Sequence, residues 1–120
     1  MPDAEIYFPS FSVSWSGGVA GYKSSPGSIA WGVIYEIDEQ DLVVLRSYEN
    51  FCPTRAAHLN HYNEVMVQIM TDEGPVTCMT YHSCVTGDYR PSLRYIKGII
   101  QGAEDNNLPE EYIEKISQLL

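Results

Sequence analysis

The sequence predicts a small α+β fold in which a curled sheet is packed by helices, and three observations carry that prediction. Apolar residues alternate with period two through the first part of the chain, helical spacing takes over at the end, and clusters rich in Gly and Pro separate the extended runs. An order of strands first and helices last is that of an α+β domain rather than of repeated βαβ units. At 120 residues and 44% hydrophobic, residues 1–120 fit a single domain, since a chain of this size buries roughly 60 to 70% of its unfolded surface.

The first extended run is "IYFPSFSVSW", in which Pro9 points to a sheet edge or a bulge. "SGGVAGYKSSPGS" follows and reads as two glycine-rich turns. "SIAWGVIYEI" has the clearest alternation: Ile29, Trp31, Val33, Tyr35 and Ile37 share one face, with Ala30, Gly32, Ile34 and Glu36 on the other. Both faces are largely apolar, which predicts a central strand. In "DEQDLVVLRSYE", Asp38 is a helix N-cap and Leu42, Leu45 and Glu49 recur at spacings of three and four. Glu49 therefore extends an inward-facing stripe, where an acid needs a partner or a task. The competing reading is an ordinary solvated helix end, the commoner position for a Glu.

Beyond the Pro53 loop, "YNEVMVQIM" and "VTCMTYHSC" form two strands joined by "TDEGP". Tyr62 opens one strand and Tyr81 closes the other, so an antiparallel hairpin brings them to the same end. In "RPSLRYIKGIIQGAEDNNL", Leu93, Ile96, Ile99, Ile100 and Ala103 recur at helical spacing, with Ser92 as N-cap and Gly102 near the stop. "LPEEYIEKISQLL" opens a last helix with Pro109 in its first turn and Ile113, Ile116 and Leu120 on one side.

Composition narrows the function classes. Seven basic against 16 acidic residues give a net charge of -9, a surface that repels phosphate backbones and anionic headgroups, so neither nucleic acid nor a membrane is expected as a partner. No apolar run is long enough to span a bilayer and "MPDAEIYFPS" lacks the pattern of a signal peptide, which predicts a cytoplasmic location. The cysteines, Cys52, Cys78 and Cys84, are odd in number and form no C-x-x-C, a pattern of reduced thiols rather than of a disulfide framework or zinc site. His58 and His61 fall near Cys52 but match no zinc spacing and read as a solvated loop; His82 reads as a structural strand histidine. There is no G-x-S-x-G, P-loop, G-x-G-x-x-G or H-E-x-x-H. One carboxylate with several tyrosines at element ends survives: Glu49, Tyr62, Tyr81 and Tyr95.

Several phrases together resemble the γ-glutamylcyclotransferase family. They are "WSGGVAGYKSSPGSIAWGVIYEI", "DLVVLRSYENF", "YNEVMVQIMTDEGPVTCMTY", "RPSLRYIKGIIQGA" and "LPEEY", which occur in the family's order from about Phe8 to about Tyr112. The resemblance, strongest to the branch acting on γ-glutamyl amino acids, implies a small mixed β-barrel with flanking helices. It implies an enzyme of glutathione metabolism, classed as a lyase or transferase, that closes a γ-glutamyl amino acid to 5-oxoproline and frees the amino acid. Residue by residue, Glu49 falls on the family's catalytic acid/base, and Tyr62, Tyr81 and Tyr95 fall on tyrosines near the substrate. Gly17 and Gly18 match a glycine pair of the substrate site whose expected role is backbone geometry. No cofactor or metal is implied, the partner is a small γ-glutamyl molecule, and a homodimer is an expectation.

Two departures accompany the match. Asn50 stands where the family has Gly after the catalytic acid, a mild change because Asn tolerates a left-handed backbone. The family's Y-G-S-N motif, whose amides hold the γ-glutamyl group on a strand upstream of this match, occurs nowhere in the chain. The expectation is a domain missing its first strand. That departure keeps open an alternative, a catalytically degenerate member acting as a ligand-binding or self-associating domain, and a third reading in which γ-glutamyl amines or glutathione are the substrate.

Overall fold

The computed structural model describes residues 1–83 and 85–119, so Cys84 and Leu120 lie outside the described residues. Strands and helices mix as an α+β fold requires, in two compact units: Met1–Val33 with Gly87–Leu120, and Ile34–Thr86.

In the first unit, β1 (Pro2–Ser12) pairs antiparallel with β2 (Gly17–Ile29). The connection is not the predicted glycine turn but residues 13–16, where Ser16 takes a left-handed backbone, φ 56°. Pro9 does mark a bulge: the register shifts between Tyr7 and Ser10, where proline has no N–H to give the ladder. The second predicted turn is also part of β2. Gly27, φ 84°, donates its amide to Asp3 Oδ1 at 3.0 Å, and the "SSPG" stretch is absorbed as a register shift instead of reversing the chain. Glycine density alone does not distinguish a turn from a bulge, since both use its access to positive φ.

Two helices complete this unit, α2 (Leu93–Asp105) and α3 (Glu110–Ser117). Ser92 caps α2 as expected, its Oγ accepting from the Tyr95 amide. The stop lies near Gly102, as expected, after Asp105. Leu108 N donates to Ala103 O, Asn107 N donates to Glu104 O, and Asn107 has φ 54°, the pattern of a Schellman ending with Asn in the left-handed position. Pro109 occupies the N-cap of α3. Phe8, Ile96 and Ile116 form the buried centre, with Ala20, Tyr95, Ile99, Ile100 and Tyr112 packed around it. Leu93, counted on the apolar stripe, is 55% exposed.

The second unit contains α1 (Glu39–Tyr48) and a hairpin of β3 (Tyr62–Thr71) and β4 (Gly74–Ser83). Asp38 caps α1 with a reciprocal capping box to Asp41. The hairpin closes through Asp72 and Glu73, with Gly74 at φ 110°. Its register sets Tyr62 opposite Ser83 and Glu64 opposite Tyr81. Because side chains alternate, Tyr62, Glu64 and Tyr81 lie on one face.

The predicted central strand is the largest correction. Ile29 ends β2, and residues 30–38 join no ladder among the described residues. Trp31, Val33 and Tyr35 are 46%, 41% and 70% exposed. Alternation encodes side chains fit for two faces, but a strand also needs neighbours to take its N–H and C=O groups. No helix among the described residues is long and apolar enough to cross a membrane.

Candidate functional site

Glu49 owes its position to the way α1 ends. It is the C-cap, donating its amide to Leu45 O at 2.9 Å; Asn50 follows at φ 52°, its amide on Ser47 O, and Phe51 N reaches back to Arg46 O at 2.9 Å. This is again a Schellman motif, and Asn50 fills the left-handed position that usually belongs to glycine. The motif reverses the chain directly after Glu49. Its carboxyl is consequently half-buried rather than solvated at a fraying end, and burial raises its pKa above the usual range, opposed by the nearby positive charge of His61.

The hairpin face supplies the next group of side chains. The Tyr81 hydroxyl donates to Glu64 Oε2 at 2.7 Å. Arg46 grips the same carboxylate at two points, Nε to Oε2 at 2.8 Å and Nη2 to Oε1 at 2.9 Å. Those charge-assisted bonds hold Glu64 below the ordinary carboxylate range, while burial and the bond to Glu64 push Tyr81 well above the ordinary phenol. The Phe51 ring meets Tyr81 edge-on at 6.2 Å and lies under the Arg46 guanidinium at 5.6 Å. Tyr62 packs edge-on against His61 at 4.9 Å. Buried Asn60 organises the loop before β3: its Oδ1 accepts from Cys52 N and Arg55 Nε, and its Nδ2 donates to Asn63 Oδ1.

Sequence reasoning did not single out Arg46, Phe51, Asn60 or Glu64. Two of them were readable from spacing: Arg46 lies three residues before Glu49 on the helix, and Glu64 lies two after Tyr62 on the strand. That Arg46 and Glu64 meet is a tertiary fact.

The remaining predicted residues belong to the first unit. Tyr95 faces its core, the hydroxyl accepting from Ala20 N at 2.8 Å and the ring meeting Phe8 at 6.4 Å and Trp15 at 5.1 Å. Gly17 and Gly18 are buried where β2 crosses residues 89–92. A Cβ on Gly17 would fall 2.6 Å from Ser92 N, and one on Gly18 would fall 2.5 Å from Tyr89 O. The Gly18 amide is already committed to Arg90 O at 2.9 Å. The pair thus works here by close backbone approach. Cys52 and Cys78 are free thiols, and no group of three or more His, Cys, Asp or Glu side chains is assembled for a metal among the described residues.

With a half-buried acid fixed beside a tyrosine-bearing hairpin, the comparisons with known proteins acquire structural content. The model of the AIG2-like family matches residues 30–116, which include α1, both strands of the second hairpin, and α2. The chain belongs to the AIG2-like family, and the curated relatives it matches are γ-glutamylcyclotransferases. It is 32% identical to the bovine γ-glutamylcyclotransferase over 109 residues, 90% of this chain and 55% of that one, and 33% identical to the human γ-glutamylcyclotransferase over the same shares. The chain therefore spans about half the length of these relatives. Among solved structures, a human protein described as uncharacterized matches with a TM-score of 0.85 at 31% identity, covering 98% of this chain and 69% of that one. A γ-glutamyl cyclotransferase matches with a TM-score of 0.85 at 30% identity and the same coverage. The α+β fold class, shared with that γ-glutamyl cyclotransferase structure, stands on these matches.

Proposed function

We propose that the chain carries γ-glutamylcyclotransferase chemistry on a small cytoplasmic γ-glutamyl substrate, with Glu49 as its proton carrier. The observation that supports this most directly is the half-buried Glu49 carboxyl, held at a Schellman turn and raised in pKa by burial. In the proposed reaction the substrate's own α-nitrogen is the nucleophile. It gives a proton to Glu49, forms a bond to the γ-carbonyl carbon, and closes a five-membered ring. The bond from that carbon to the leaving nitrogen then breaks as Glu49 returns a proton to that nitrogen and the ring nitrogen gives its second proton to solvent, releasing 5-oxoproline and a free amino acid.

Intramolecular attack draws much of its advantage from proximity, provided that the substrate is held folded. A carboxyl raised toward the working pH suits both halves of the proton cycle. Tyr62 and Tyr81 offer ring faces and hydroxyls on the hairpin face, and Tyr95, Gly17 and Gly18 are proposed as substrate-binding residues on the family resemblance alone. A homodimer belongs to the same proposal.

The test is 5-oxoproline release from γ-glutamyl-alanine by the chain and by its Glu49→Gln variant. Loss of acid/base catalysis should lower kcat by about 10²- to 10⁴-fold with the fold intact. Undiminished release by the variant would remove Glu49 from the mechanism. The absence of Y-G-S-N favours the second reading, a degenerate member that binds without turnover; substrate binding with no product from well-folded wild type would select it.

A further inference from the structure

A tyrosine hydroxyl has one proton and two lone pairs, and its use in a site depends on where that proton points. Between two carboxylates the proton goes to the one that is ionised and within reach. For Tyr81 that is Glu64, at 2.7 Å. Arg46 ensures that Glu64 is the better acceptor, since two parallel N–H bonds at 2.8 and 2.9 Å both charge it and fix its plane. Phe51 braces the assembly from the other side, in contact with the Tyr81 ring and the Arg46 guanidinium. Among the described residues no donor is directed at the Tyr81 oxygen itself.

We infer that Arg46 and Glu64 are a positioning pair, which holds the Tyr81 proton on Glu64 and so presents the Tyr81 oxygen as an acceptor for an ammonium donor of the substrate. The inference rests on the cyclotransferase reading for the identity of that donor, the α-ammonium whose proton Glu49 takes. Glu49 and Tyr81 belong to the same compact unit, and the Glu49 charge acts on the phenol in the same direction as Glu64. A hydroxyl free to rotate would turn its proton toward the substrate instead. It would then offer the ammonium a proton where it needs a lone pair. The pair thus assigns polarity to the site without touching substrate.

The role separates from a merely structural one by a mutant cycle. Arg46 and Glu64 are removed together, as Arg46→Met/Glu64→Leu, because removing one would strand the other's charge in a half-buried site. The paired variant, Tyr81→Phe and the triple variant are compared for kcat/KM with γ-glutamyl-alanine. Dissociation constants for the same molecule are taken from the NMR shift of the Tyr81 Cζ carbon, or of the Phe ring where Tyr81 is replaced. Each of the first two should lose about 10- to 100-fold, the scale of one hydrogen bond to a charged group. The triple variant should lose no more than either, and Arg46→Met/Glu64→Gln, which keeps a neutral acceptor for Tyr81, should recover most of the loss.

Additive losses in the triple variant, or no recovery with Gln, would overturn the positioning role. If the paired variant does not fold by circular dichroism, Arg46→Lys, which keeps the charge and breaks the two-point grip, takes its place in the cycle. A wild type that binds γ-glutamyl-alanine without releasing 5-oxoproline defeats the cyclotransferase reading while the cycle on dissociation constants still decides the pair. A wild type that neither binds nor turns over defeats both.

Discussion

Glu49 and Asn50 show how one turn of backbone sets chemistry. Asn50 adopts φ 52° so that Phe51 N can reach Arg46 O, and an L-residue without Asn's local hydrogen bonding would pay about 1–2 kcal/mol to do the same. Asn50→Ala should therefore destabilise the fold by about 1 kcal/mol, whereas Asn50→Gly should be neutral or slightly stabilising; urea unfolding of the two variants checks this. Glu49 has the opposite sign of the usual surface acid. Its folded pKa lies above the unfolded value near 4.5, so protonation favours folding. The associated stability is fully present below that unfolded value and is lost as pH rises through the folded one. At pH 7 Glu49→Gln should consequently melt above wild type, with the difference closing as the solution is acidified. A melting difference independent of pH would contradict the burial of this carboxyl. Glu64 titrates the other way: depressed by Arg46, it contributes stability above its unfolded pKa that disappears as pH falls through the folded one.

At the scale of elements, capping and alternation were legible because they are local. Asp38 and Ser92 start α1 and α2 as the sequence predicts, and the β3–β4 hairpin closes at the expected turn. Tyr62 and Tyr81 come to the same end of it, as expected, and the observed register adds that they share a face. The failures share a cause. "SSPG" became a bulge, and "SIAWGVIYEI" found no ladder beyond Ile29. Each depends on what a neighbouring segment offers, and neighbours are not local. Gly17 and Gly18 are the counterpart, needed because residues 89–92 lie against them. Gly18→Ala would force a Cβ to 2.5 Å from Tyr89 O, so it should cost about 1–3 kcal/mol, the usual penalty of overpacking. Thermal unfolding measures it directly.

For the molecule as a whole, a charge of -9 on 120 residues means self-repulsion in the folded state that salt relieves. Raising ionic strength from about 10 mM, where the Debye length is near 30 Å, to about 150 mM, where it is near 8 Å, should raise the melting temperature at pH 7. A melting temperature that falls instead would show that favourable ion pairs such as Arg46–Glu64 outweigh the net repulsion. The sequence by itself determined the α+β class, both helix caps, the hairpin and its turn, and the position of Glu49 at the seam of a helix and a loop. These follow from periodicity and capping, which act within a few residues. Only the tertiary structure decided that Arg46 and Glu64 would meet across 18 positions, that the Tyr81 hydroxyl would donate to Glu64, and that Tyr95 would pack in the core of the first unit. Such choices depend on which distant groups share a low-dielectric neighbourhood, where a charge or a hydroxyl left without a partner costs more than the backbone preference that brought it there.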